Sequence, residues 1–412
     1  MLPEDALFLG DTRPAGGAAV ILLEPAAIHL VADAQPPGAT PRFPGAAGAL
    51  ARHWVLRGDD APLLARSLLA RGTIERAWVA MRPAPPPLGD IPPETPTFEQ
   101  AWRDAFPAGF GFFGAEAWPG GRGENVTIVD IEFAWDPTHE ELRDLAVEPL
   151  GGVADATWAF HGTGVLGILA AADNGFGVTG AAPLADVVVQ HPYFELGAAF
   201  EYDVARAVVD AAAALSAGDV ILLEQQVYGP NQEFMPASYD PAVRDAIRIA
   251  TAAGIVVIEP AGNDDVDLDD PVWEGAFLDD TGVIRVGAGT SSFEGVPRFE
   301  VGSNHGTAVH VQGWGGDIVT CAGPPYTDLF YPEDDPRQAY TSFFAGTSGA
   351  SALVAGAAAV LQSTSLAVRG EPLTPRELRA ALVSAGWAQA GGSPEIGPMP
   401  DVRRMLRSWM GP

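Results

Sequence analysis

The sequence predicts an α/β protein, a doubly wound and mostly parallel sheet preceded by a small N-terminal α+β unit. Three observations carry that expectation. Apolar runs of strand length alternate with helical patterns between residues 125 and 262. The runs are continuous Val/Ile/Leu rather than alternating, which is how strands read when both faces are buried. A stretch with seven prolines in fifteen residues (82–96) separates them from what precedes, and such a stretch is neither helix nor central strand.

The elements follow in order. Residues 1–82 form the small unit: strands at 19–25 and 27–33 around Pro25, a helix at 62–71 ended by Gly72, and a strand at 74–81. Residues 83–100 are the linker, 101–395 the main domain and 396–412 a C-terminal tail or helix. Within the main domain, strands are expected at 125–131, 185–190, 220–226 and 255–262. Helices are expected at 161–172, 203–218 and 240–254, the last two closed by Gly218 and Gly254. This alternation is the pattern of a doubly wound sheet.

Composition narrows the function. The chain has 412 residues, a formal net charge of −30, and no lysine among its 23 basic residues. That charge repels phosphate backbones and anionic lipid, which argues against nucleic-acid and membrane-surface roles. The single cysteine, Cys321, excludes an internal disulfide framework and reads as a small buried hydrophobe. No apolar run reaches the roughly 18 residues of a membrane span. The acidic opening MLPEDALFLGD does not resemble an export signal, so cytoplasmic residence or unconventional export is the expectation.

Three segments sit at the edges of predicted elements, where an open parallel sheet collects its functional groups. Asp130 stands near the end of the apolar strand NVTIVDI, His161 opens the helix HGTGVLGILAAA, and Ser348 opens a helix of small residues, GTSGAS. Taken singly, each has a plain reading: a turn aspartate, a structural histidine, an N-cap serine. Together they are the types that nucleophilic catalysis needs. A serine hydroxyl requires an imidazole to take its proton, and the imidazole requires a carboxylate to hold its tautomer. A helix start offers backbone N–H groups to an oxyanion. Asn263, in PAGN after strand 255–259, offers a side-chain amide for the same purpose.

The order Asp…His…Ser is the one found in subtilisin, and the local sequences resemble the subtilisin-like serine proteases. VTIVDIEFAWDPTHEEL (126–142) is similar to the family's aspartate segment, HGTGVLGILAA (161–171) to its histidine segment and VVIEPAGN (256–263) to its oxyanion-asparagine segment. VGSNHG (301–306) resembles a family loop, and FAGTSGASALVAGAAAVLQ (344–362) the serine helix. The resemblance spans roughly residues 118–390. It implies Ser348 as nucleophile, His161 as general base and then acid, Asp130 as orienting carboxylate and Asn263 as oxyanion donor.

There are departures. Asp130 is followed by Ile131-Glu132 where the family has a small residue and glycine, and Glu132 is assigned to the opposite face of the strand, outside the triad. Ala352 stands where the family has proline. The substrate-binding strand, Ser-Leu-Gly-Gly in the family, has its counterpart in Glu224–Gly229, so Gln225, Gln226, Tyr228 and Gly229 are the expected substrate contacts.

The implied activity is that of a serine endopeptidase, acting on peptide or protein substrates through an acyl-enzyme on Ser348. The alternatives are a catalytically silent scaffold that binds peptide or protein partners, and a narrow processing protease for one partner. The N-terminal unit and linker resemble the family's prodomain arrangement, which implies an intramolecular inhibitor or folding assistant. No cofactor is expected. Five acids in seven residues at 264–270 offer a candidate structural calcium loop, against the plainer reading of a solvated acidic rim. His139 is expected to start a helix capped by Asp136 or Thr138.

Overall fold

The computed structural model describes residues 28–411, apart from 46, 58–60, 80–89, 144, 146, 148, 198, 292–296, 301 and 393. The chain divides between Pro86 and Pro87 into two units. The strand expected at 19–25 lies outside the described residues.

The first unit runs β1 (Ile28–Val31), β2 (Thr40–Pro41), β3 (His53–Leu56), α1 (Ala61–Ala70) and β4 (Arg76–Val79). Its antiparallel sheet has the order β2-β3-β1-β4. Ile28, Leu30, Leu56, Ala65 and Leu68 form a small core, with α1 against β1 and β4.

The second unit opens with β5 (Thr127–Ile131), β6 (Pro149–Gly151), α2 (Ala159–Ala170) and β7 (Asp186–Gln190). Next come a hairpin of β8 (Tyr193–Leu196) and β9 (Ala199–Tyr202), α3 (Val204–Ala214) and β10 (Val220–Leu222). A second hairpin, β11 (Gln226–Tyr228) and β12 (Phe234–Pro236), leads to α4 (Pro241–Ala252) and β13 (Val256–Pro260). The remainder is β14 (Ile284–Gly289), β15 (Val311–Trp314), β16 (Ile318–Cys321), β17 (Tyr340–Phe344), α5 (Gly346–Arg369), α6 (Pro375–Ser384) and α7 (Val402–Trp409).

Seven strands form one parallel sheet in the order β15-β14-β13-β10-β5-β7-β6. The apolar runs are continuous because successive side chains enter different cores. Ile128, Leu222 and Ile258 pack on one face, in the cluster with residues of α2 and α5. Val129, Ile221 and Val257 pack on the other, with residues of α3 and α4. Helix α5 lies in the larger core and meets β13, β14 and β15. The segment 396–412, expected as a tail or helix, contributes to that core: Asp401 caps α7, and Val402, Met405 and Leu406 are buried. No helix starts at His139. Its ring is buried, with Nε2 2.8 Å from the Ala339 carbonyl oxygen.

Candidate active site

Beyond Ile131 the chain keeps to the sheet for one more step, the Glu132 N–H donating to the Gln190 carbonyl. Glu132 is fully buried. One carboxylate oxygen accepts from the Phe133 N–H at 2.7 Å, and the other lies 2.6 Å from His161 Nδ1. The carboxylate that meets the imidazole is therefore Glu132, and the sequence-based assignment of Asp130 is corrected. Residues two apart on a strand share a face, so Asp130 and Glu132 point the same way and Glu132 emerges at the strand's end, beside His161. Asp130 sits deeper, completely buried, with neither oxygen hydrogen-bonded. Burial, reinforced by the charges of Glu132 and Glu224, pushes its pKa well above the usual carboxylate range.

His161 lies in the first turn of α2. Burial acts to lower its pKa, but the charge and hydrogen bond of Glu132, with Glu224 beyond, outweigh it and push the value up to about 9. With Nδ1 engaged, Nε2 is the nitrogen left for a serine hydroxyl. Gly162 lets the helix come this close. A Cβ there would strike the Ala134 carbonyl and stand 2.5 Å from Glu132 Cγ.

Ser348 is the third residue of α5 and is half-buried. Its hydroxyl lies near enough to Glu224 to lower that carboxyl's pKa, as the charge of His161 also does. Asn263 meets the same helix start. Its Oδ1 accepts from the Thr347 N–H at 2.8 Å and the Thr347 hydroxyl at 3.0 Å, while Nδ2 is directed toward Gln226 Oε1 at 3.4 Å. Gly262, at φ +99°, makes the turn before it, where a Cβ would strike the Phe234 carbonyl. Asn304 braces this loop, donating to the Phe234 and Ala261 carbonyls and accepting from the Asp264 and Val266 N–H groups. Asn304 carries the support that the loop resemblance at 301–306 left unassigned.

A family model described as the subtilase family matches residues 146–396. The chain belongs to the subtilase family. The match begins beyond the Asp130–Glu132 segment. An intracellular serine protease of Paenibacillus polymyxa is 26% identical over 290 residues, 68% of this chain and 79% of that one. A solved protease from Pseudoalteromonas arctica aligns with a TM-score of 0.54 at 20% identity, over 75% of this chain and 96% of that one. The MycP3 protease of the type VII (ESX-3) secretion system aligns with a TM-score of 0.52 at 20% identity, over 77% and 90%. At these identities the solved structures show a shared subtilisin-like fold. As a subtilase, the protein is a serine endopeptidase.

The expected substrate contacts of this subtilase separate on inspection. Gln225 is buried, donating to the Ile131 carbonyl and accepting from the Tyr202 hydroxyl, so it ties elements together rather than lining a cleft. Gln226 is exposed beside Asn263. Tyr228 is exposed, with its ring 5.3 Å from that of Phe234, and the Gly229 N–H closes the hairpin turn onto the Glu233 carbonyl. Next to Glu132, Phe133 lies among Trp158, Tyr193 and Tyr202 at 5.8–6.2 Å between ring centres, an aromatic rim that sequence reading did not foresee.

The acids at 264–270 are engaged in local hydrogen bonds. Asp264 accepts from the Phe234 N–H, Asp267 from that of Asp269, Asp269 from Thr307, and Asp270 from the Val272 N–H. Among the described residues no group of three or more His, Cys, Asp or Glu side chains has a metal-holding arrangement. Burial pushes the Cys321 thiol well up, so it stays a packed thiol.

Proposed function

We propose that this subtilase cleaves peptide bonds through an acyl-enzyme on Ser348, with His161 as the proton carrier and Glu132 as the orienting carboxylate. The observation that carries the proposal is the 2.6 Å contact between Glu132 and His161 Nδ1. In acylation, Ser348 Oγ bonds to the scissile carbonyl carbon and its proton passes to His161 Nε2. The developing oxyanion takes hydrogen bonds from Asn263 Nδ2 and the Ser348 backbone N–H. The carbon–nitrogen bond breaks as His161 returns the proton to the leaving amine. Water, deprotonated by the same nitrogen, then releases the acid.

The anchoring of Asn263 Oδ1 by Thr347 supports the oxyanion role, because it fixes the amide at the start of the Ser348 helix and leaves Nδ2, held only by a 3.4 Å contact to Gln226, as the end that donates. The aromatic rim around Phe133 favours substrates with an apolar side chain next to the scissile bond. The description of the Paenibacillus relative as intracellular supports residence inside the cell, where an attached inhibitory N-terminal unit has an obvious use.

The test is labelling by a fluorophosphonate probe, which reacts only with an activated, accessible serine. Full-length protein should label, and Ser348→Ala and Glu132→Ala should not. Labelling that survives Ser348→Ala would sink the nucleophile assignment. A form lacking residues 1–96 should label faster if the N-terminal unit inhibits; equal rates and equal folding yields would remove that role.

A further inference from the structure

Glu224 is the buried ionisable group next to the nucleophile that the triad does not use. It lies two residues beyond Leu222, which stands opposite Asp130 in the sheet, and it is only 4% exposed. Its Oε1 is 2.9 Å from Ser351 Oγ, and its Oε2 is buried without a hydrogen-bond partner among the described residues. Ser351 Oγ also lies 2.6 Å from the Thr347 carbonyl oxygen and 3.1 Å from that of Ser348. A hydroxyl has one hydrogen to give. The shortest of the three contacts, to the carbonyl four residues back, is the usual acceptor for a helical serine. The hydrogen between Ser351 and Glu224 then comes from the carboxyl.

The groups around Glu224 require the same. They are Asp130 and Glu132 from the β5 segment, His161 from α2, and Ser348 and Ser351 from α5. The imidazole is engaged by Glu132, so Glu224 has no cation of its own, and an unpaired buried carboxylate is costly.

We infer that Glu224 is a positioning residue, a neutral carboxylic acid that pins Ser351 and with it the first turn of α5, and whose ionisation is coupled to that of His161. The inference rests on the assignment of Ser348, His161 and Glu132 given above. Burial raises the Glu224 pKa to about 8, with partial relief from the charge of His161. Below that pH the acid donates to Ser351. Above it the donor is lost, and the new charge holds a proton on His161, which is then no base. Glutamine at this position keeps a donor and cannot ionise.

The experiment follows fluorophosphonate acylation of the full-length protein across about pH 6 to 10. Glu224→Leu should lose at least about tenfold of the maximal rate. Glu224→Gln should recover most of that loss, with its rise in rate moved about one pH unit lower than in the wild type. A Glu224→Gln profile that superimposes on the wild type, or one that falls to the Ser348→Ala background, overturns the inference.

An infrared comparison in the Ser348→Ala background, with and without Glu224→Gln, reads the proton independently of activity. The carbonyl band of a protonated carboxylic acid should appear at neutral pH and titrate away above about 8. Its absence overturns the inference even where labelling is normal. Its presence in a protein that never labels would confirm the neutral acid and place the failure with the nucleophile assignment.

Discussion

Glu132 Oε2 lies 2.6 Å from His161 Nδ1, and the carboxylate is wholly buried while a quarter of the imidazole side chain (25%) stays accessible. The pair thus has one end sealed in the protein and the other open to a substrate. Two residues back, Asp130 is equally buried, and neither of its oxygens has a hydrogen-bond partner among the described residues. Neighbouring acids on one face of one strand end have been given different work by a step of two residues.

Substitution separates the two acids. Glu132→Gln leaves the imidazole without its counter-charge and should cut kcat by about 10³–10⁴. Asp130→Asn keeps the shape of the side chain, and should leave kcat within about threefold. Steady-state cleavage of a fluorogenic peptide decides it; the reverse order of effects would restore Asp130 to the triad.

Asn263→Ala removes one of two oxyanion donors. The expected loss is about 10²–10³ in kcat with KM little changed. A rise in KM at constant kcat would make Asn263 a substrate-binding residue instead.

The pH profile follows from the histidine. Its pKa is raised from 6.5 to about 9, so the imidazolium is fully present below 6.5 and is lost as pH rises through about 9. Only the neutral ring accepts the serine proton, so acylation should accelerate with pH up to about 9. The Glu132–His161 attraction contributes stability over the same lower range and loses it above. A rate that levels off near 6.5 would show that Glu132 does not hold the proton in the free enzyme.

A second buried acid pair sets a stability slope. The Tyr340 hydroxyl lies 2.8 Å from Glu140 and 3.1 Å from Glu141. Burial raises Glu141 to about 8, despite donors from Val178, Tyr340 and Asn174. Its folded pKa lies above its unfolded one, so its contribution is present below about 4.5 and is lost as pH rises through about 8. The slope attached to one such proton is at most about 1.4 kcal/mol per pH unit. Thermal unfolding at several pH values across that window should show Glu141→Gln with a flatter dependence than the wild type. An unchanged slope would assign the proton elsewhere.

The sequence by itself determined the layered α/β architecture, the positions of His161 and Ser348 at helix starts, and the placement of Asn263 just past a strand. Each of these is a local matter. Runs such as Val256–Pro260 read as strands because both their faces are buried, and the small residues of α5 read as a helix for a crowded core. The strands β14 to β17, with their glycine and polar content, carry no such signal and emerge only from pairing. Tertiary structure alone decided which acid serves the histidine, although the two-residue period of a strand already places Asp130 and Glu132 on one face. The choice between them depends on how far β5 runs before α2, starting 28 residues after Ile131, crosses its end. The same holds for Glu224 and Gln225, consecutive residues of one apparent substrate strand. One turns into the reaction centre and the other ties β5 to Tyr202, because the chain makes its last sheet hydrogen bond at the Leu223 N–H and turns away beyond it.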